Sequence, residues 1–184
     1  MMEDLAMHLL EILMNSVKAG ARTLTVKIYD SWLENVIRMT IIDDGCGMSE
    51  EMASRAADPF TTSRTTRKIG MGLAFMKGLT ETCNGSFELK SVVGEGTEVI
   101  AEVEKECIDT PPLGDLGDIS MSTIQANPDI DYTLEYTTDS NKFVFTSMEV
   151  RKELEGVSLM EPEILLWIKE YINQGIEQAK EDTL

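Results

Sequence analysis

The sequence is poor in cysteine, histidine and basic residues. Cys46, Cys83 and Cys107 are odd in number, none stands in a Cys-x-x-Cys pair, and His8 is the only histidine. Neither a disulfide framework nor a structural zinc site is expected from such a set. Positive charge is just as scarce, since 16 Lys+Arg against 33 Asp+Glu leave a formal net charge of −17. Nucleic acids and anionic membrane surfaces are both held by basic patches, so neither is expected as a partner. Long hydrophobic runs are also missing. No apolar stretch approaches the ~18–20 residues of a membrane span, and Glu3 and Asp4 stand where a secretory signal would be basic. A soluble, cytoplasmic protein is the expectation. What is present is ordinary for a globular fold: 184 residues, 42% hydrophobic and 27% charged.

The acidity is unevenly placed. Residues 1–106 hold 17 acids and 11 bases, net −6, whereas residues 107–184 hold 16 acids and 5 bases, net −11. Between Asp58 and Glu81 there is no acid at all, while Arg64, Arg67, Lys68 and Lys77 fall there. A basic run of this kind usually reads as a solvated loop. Its Thr, Ser and Gly content is also that of a loop able to close on an anion, which makes a phosphate-bearing ligand the first functional suspicion.

Periodicity supplies the elements. Leu5, Leu9, Ile12, Leu13 and Val17 have helical spacing over residues 3–19, with Gly20 as a stop signal. Alternation over Thr23–Ile28 and a β-rich run over Val36–Ile42 read as an antiparallel pair. Ser49 is placed to cap a short helix, and Leu73–Cys83 reads as another. Phe87–Val93 and Thr97–Val103 flank a Gly94-Glu95-Gly96 turn as a second hairpin. Composition shifts at Thr110-Pro111-Pro112-Leu113-Gly114, where a boundary is expected. Beyond it lie a helix over Asp115–Ala126, a hairpin of Asp131–Tyr136 with Lys142–Thr146, a short helix capped by Thr146, and a last helix from Glu161-Pro162.

Several short motifs bear on chemistry. Glu11 and Asn15 are four apart and so share a helix face, one turn above the other; as a lone pair they would read as solvated side chains. Asp43-x-Gly45-x-Gly47 follows at a strand end, where glycines admit a ligand close to the backbone and the carboxylate accepts a hydrogen bond from it. Gly70-Met71-Gly72-Leu73 opens a helix directly after the basic stretch, offering N–H groups and the positive end of a helix dipole to phosphate oxygens. Gly94-Glu95-Gly96-Thr97 leads into a strand with a hydroxyl at its start. Each motif is weak by itself.

In this order the blocks HLLEILMNSVKAGA, DDGCGM, DPFTTS, IGMGLA and GEGTEV resemble the ATP-binding domain shared by DNA gyrase, heat-shock chaperones, sensor histidine kinases and mismatch-repair ATPases, the GHKL superfamily with its Bergerat fold. The stretch from Asp58 to Val103 looks most like histidine-kinase catalytic domains, whereas Asn15-Ser16-x-x-Ala19-Gly20-Ala21 looks more like the mismatch-repair branch. The resemblance implies an α/β, two-layer sandwich, with helices packed on one face of a mixed sheet, over residues 1–108. Residues 109–184 would form a small acidic α+β extension.

The resemblance also implies roles. Asp43 would bond the adenine amino group, with Thr97 assisting through water, Gly45 and Gly47 would let base and ribose approach, and Met48 would also belong to the nucleotide site. Asn15 would coordinate Mg²⁺ between phosphate oxygens, and Lys18 would contact phosphate. Arg64, Arg67 and Lys68 would belong to the lid over ATP, with Gly70 at its hinge and Gly72 and Leu73 at the helix start. Glu11 stands where histidine kinases usually carry Asn, while hydrolysing and serine-kinase members carry Glu; a carboxylate there can deprotonate water or a hydroxyl. The implied function is Mg-ATP binding with hydrolysis, or transfer of the γ-phosphate to a protein. A nucleotide-sensing regulatory module with little turnover and an anti-sigma-factor-like serine kinase remain open. His8 lacks the flanking pattern of a phospho-accepting histidine and is expected to be structural or supporting, and Cys46 a small filler in the glycine turn.

The N-box begins so early that the strand and helix usually preceding it are expected to be missing. The C-terminal hairpin and helices, from about residue 115 to 178, would then dock on the ATP domain or form a surface for a protein partner or a homodimer. Their GDLGD…NPDID…PEILLWIKEYI pattern resembles short stand-alone kinase-like ATP-binding proteins encoded near iron-only hydrogenase components.

Overall fold

The computed structural model describes residues 4–58 and 72–181. In chain order the described elements are α1 (Leu5–Lys18), β1 (Thr23–Ser31), β2 (Val36–Asp43), α2 (Glu50–Ala56), α3 (Gly72–Thr82), β3 (Ser86–Val92), β4 (Gly96–Glu104), α4 (Leu116–Ala126), β5 (Asp131–Thr138), β6 (Lys142–Thr146), α5 (Ser147–Glu153) and α6 (Pro162–Glu181).

The first helix starts where an acid can satisfy its free N–H groups. Asp4 is the cap, accepting the Met7 N–H at 2.9 Å, so this acid lies just before the first turn and not within it. Leu5 and Ala6 donate to the carbonyls of Pro112 and Leu113, both at 2.9 Å, which ties the Pro-rich strap to the helix start. Leu5, Leu9, Ile12 and Leu13 are buried as their spacing demands. The next buried position is Ser16, while Val17 is only half-buried.

The strands form one six-stranded sheet in the order β3-β4-β2-β1-β5-β6. Only the β1–β5 pair is parallel, so the sheet is mixed. Period-2 alternation gives every central strand one buried row: Leu24, Val26 and Ile28 on β1, Ile37, Met39 and Ile41 on β2, Val99, Ala101 and Val103 on β4, and Tyr132, Leu134 and Tyr136 on β5. These rows form one core with Leu9, Leu13, Met76, Ile168 and Ile172 from the helices. In the helix layer, α1 packs against α3 and α4, and α4 against α6. This is the expected α/β two-layer sandwich.

The hairpin after the Pro-rich strap does not form a sheet of its own. β5 lies along the outer edge of β1 in register from Thr23↔Asp131 to Asp30↔Thr138. A buried polar cluster marks this seam: Asp30 accepts the Tyr136 hydroxyl at 2.6 Å and pairs with Lys105. Burial, followed by the Asp30 hydrogen bond, pushes the Tyr136 phenol well above its usual range. Asp139 closes the end of the seam, accepting the Ser31 hydroxyl and the Trp32 N–H.

Candidate functional site

Two strand ends and one helix face build a cavity of about 550 Å³. Asp43 continues the buried row Ile37, Met39, Ile41, so alternation alone turns its carboxylate to the helix side at the point where β2 ends. Thr97 is its direct partner across the β2–β4 ladder and shares that face. Above them runs α1, whose Ile12, Asn15, Ser16 and Lys18 line the same space together with Met48, Met52 and Leu73.

Asp43 is 9% exposed, and its carboxylate is held from two sides. Ser16 Oγ donates to its Oδ2 at 2.6 Å, and the Gly45 N–H donates to its Oδ1 at 2.9 Å. An ionised carboxylate offers about four acceptor sites, so both oxygens retain capacity toward the cavity. Thr97 Oγ1 lies 2.8 Å from Ser91 Oγ, which also accepts the Met48 N–H at 2.8 Å. The glycine turn is thereby fastened to the β3–β4 hairpin. Next to Asp43, Asp44 accepts the N–H groups of Arg22 and Thr23 at 2.7 and 2.8 Å. Burial works against its charge, and these backbone donors more than offset it, holding the carboxyl below its usual range.

Gly47 has φ +64°, and a Cβ there would lie 1.9 Å from the Val92 carbonyl oxygen. Only glycine fits that position, because both its backbone conformation and its close approach exclude a side chain. At the other end of the cavity, a Cβ on Gly72 would lie 2.8 Å from Glu11 Cβ. The start of α3 therefore sits directly on the Glu11 side chain.

Three polar atoms on one face of α1 are buried without any hydrogen-bond partner among the described residues: His8 Nδ1, Glu11 Oε2 and Asn15 Nδ2. Leaving such groups unpaired costs about 1–3 kcal/mol each, so these atoms are candidates to bond a ligand. Burial lowers the His8 pKa, with Glu11 and Asp4 pulling the other way. Among the described residues no group of three or more His, Cys, Asp or Glu could hold a metal ion alone. Mg²⁺ is typically bound by one or two protein oxygens plus substrate phosphates, and the Asn15 amide oxygen on the face of α1 that lines the cavity suits that pattern.

Of the residues singled out from sequence, Asn15, Lys18, Asp43, Gly47, Met48, Leu73 and Thr97 line one cavity. Gly45 binds Asp43 from below, and Glu11 meets Gly72 at one end. Arg64, Arg67, Lys68 and Gly70 lie outside the described residues. Sequence reading missed Ser16 and Ser91, which hold Asp43 and Thr97. The signal for Ser16 was present: a hydroxyl stands one turn on from Ile12 and Leu13, at a position due for burial, and it needs a partner there.

A family model described as histidine kinase-, DNA gyrase B- and HSP90-like ATPase matches residues 3–106. The chain belongs to this family. It is 34% identical over 100 residues to the non-motile and phage-resistance protein of Caulobacter vibrioides, a match covering 50% of this chain and 12% of that protein. It is 31% identical over 98 residues to sensor histidine kinase AruS of Pseudomonas aeruginosa, covering 48% of this chain and 10% of the kinase. The chain thus spans only a small part of the length of these relatives. Among solved structures, the N-terminal domain of a DNA repair protein shares the fold at TM-score 0.55 and 16% identity, covering 79% of this chain and 53% of that one. Among the described residues, no helix is long and apolar enough to cross a membrane.

Proposed function

We propose that this ATPase-family chain binds Mg-ATP in the α1–β2–β4 cavity and turns it over with Glu11 as the base. The observation that carries the reading is the row of buried, unpartnered polar atoms on α1, which adjoins the cavity where Asp43 and Thr97 converge. Adenine is flat and apolar with one exocyclic amino group, and it suits a slot walled by Ile12, Met48 and Leu73 with one carboxylate at its floor. Asp43 accepts a hydrogen bond from the amino group, while Ser16 and the Gly45 N–H keep the carboxylate aimed. Lys18, at the exposed end of α1, supplies positive charge toward the phosphates. Asn15 offers its amide oxygen to the cation, whose chemistry when bound is to neutralise charge developing on the phosphate oxygens.

Glu11 acts at the α3 end. Its free Oε2 accepts a proton from water, or from the hydroxyl of a protein substrate, as that oxygen bonds to the γ-phosphorus and the bond to the β–γ bridging oxygen breaks, ADP leaving. Gly72 lets the N-terminus of α3 stand beside that carboxylate without a side chain between them. Arg64, Arg67 and Lys68 are assigned to the lid on the sequence motif alone. The test is phosphate release measured together with ATP affinity. Glu11→Ala is expected to abolish turnover while ATP still binds, and Asp43→Ala to abolish binding. Unchanged affinity in Asp43→Ala would sink the pocket assignment, whereas intact binding with no turnover in the unmodified protein would leave a nucleotide-sensing module in place of the enzyme.

A further inference from the structure

At the far edge of the sheet from the nucleotide cavity, β6, α5 and α6 enclose a second groove, of about 680 Å³. Its walls are helix side chains: Val150 and Leu154 on one side, Ile164, Trp167 and Tyr171 on the other. Its floor is β6, which pairs with β5 on one side and with no described strand on the other. Trp167 and Tyr171 remain 47% and 43% exposed although they are large and apolar.

These rings are not loose. Trp167 stacks on Tyr171 at 5.0 Å between centroids and 19° between planes, and Phe143 and Phe145 approach Tyr171 at 5.8 and 6.4 Å. Exposed aromatic side chains held rigidly at a groove are the usual anchors of protein recognition, because little rotamer entropy is lost when they are covered.

Charge specifies the occupant. Glu149 and Glu153 line the groove, and no Lys, Arg or His is among its lining residues. Glu163 and Glu170, both exposed, lie four before and three after Trp167 and so share its face of α6. Of the neighbouring cations, Arg151 bonds Asp131 and the carbonyls of Pro128 and Ile130, Lys142 pairs with Glu135, and Lys152 is exposed beside Glu153 without lining the groove. A second copy of this chain would bring the same acids and another −17 of charge to the contact, so self-association is opposed. The walls repeat at i, i+4 from Val150 on α5 to its C-cap Leu154 and at i, i+3, i+7 on α6, a ridge pattern that receives another helix.

We infer that this groove seats a basic amphipathic helix of a partner protein, with apolar side chains against Trp167 and Tyr171 and lysines or arginines over Glu149 and Glu153. The surface is built entirely by residues 142–171 and is independent of the nucleotide reading. Docking there would place the partner's cations over the acidic extension while leaving the ATP cavity open.

The chain has two tryptophans, so Trp32→Phe leaves Trp167 as the sole reporter. The probe is a synthetic helix of about 14 residues, with leucines at i, i+3, i+4 and i+7 and lysines elsewhere. Its addition to the full chain is expected to give a saturable blue shift of the Trp167 emission. Binding should weaken about tenfold in Glu149→Lys/Glu153→Lys and stay unchanged in Glu81→Lys/Glu95→Lys, which alters net charge equally at a distant place. Circular dichroism of both variants confirms that the fold is kept. No saturable shift, equal weakening by the two charge reversals, or equal binding of a peptide with two central prolines would each overturn the assignment.

Discussion

At the residue scale the site depends on positions where one atom more or less decides the outcome. Gly47→Ala would place a methyl group 1.9 Å from the Val92 oxygen on a backbone at φ +64°, so the glycine turn must shift away from Ser91. The expected result is a loss of nucleotide affinity of at least about tenfold together with a lowered Tm, since both the φ strain and the clash act; titration calorimetry and a thermal melt read the two effects. Ser16→Ala removes the 2.6 Å bond to Asp43 Oδ2 and is expected to cost about 1–3 kcal/mol in denaturant unfolding. Asp43 was legible in the sequence because alternation along β2 fixes which way it points. Ser16 was legible only as a hydroxyl due for burial; that Asp43 is its partner emerges only once α1 is laid across the end of that strand. The unpaired atoms of His8, Glu11 and Asn15 were equally hidden, since spacing places them on one face without saying what covers it.

At the scale of elements, short-range patterns identified every described helix and strand, including the caps at Ser49 and Thr146. The partner of β5 was not legible. Its Tyr-x-Leu-x-Tyr alternation announces a half-buried strand and the turn after it announces β6, but parallel pairing to β1 joins segments a hundred residues apart and leaves no local trace. Packing of α6 on β6 gives a test at this scale. A Cβ on Gly175 would lie 2.1 Å from the Phe143 ring, so Gly175→Ala is expected to destabilise by about 1–3 kcal/mol even though alanine is the better helix former by about 1 kcal/mol. Phe143→Leu should recover part of that loss in a double-mutant cycle. Additive effects would mean that the helix does not rest on this ring.

For the whole molecule, the charge of −17 and the specific titrating groups act in opposite directions as pH falls. Protonating the acidic surface relieves self-repulsion, which stabilises the fold. At about 0.15 M salt the Debye length is near 8 Å, so much of that repulsion is already screened and the slope of Tm against pH reports individual groups. Burial lowers the His8 pKa in the fold, so below the ordinary histidine value the unfolded chain takes up the proton first. Its contribution is therefore complete above about pH 6.5 and is lost as pH falls through the lowered folded value. Asp44, held below the usual range by backbone donors that outweigh its burial, and Asp139, held there mainly by the Ser31 hydroxyl, are also depressed. Their contributions persist to lower pH and are lost as pH falls through the folded values, beneath the ordinary carboxylate value of about 3.9. Tm measured against pH should thus decline in two separate windows. His8→Gln is expected to flatten the upper window and leave the lower one in place, because glutamine fills similar space without titrating; a wild-type slope retained in that variant would show that the upper window belongs to another group.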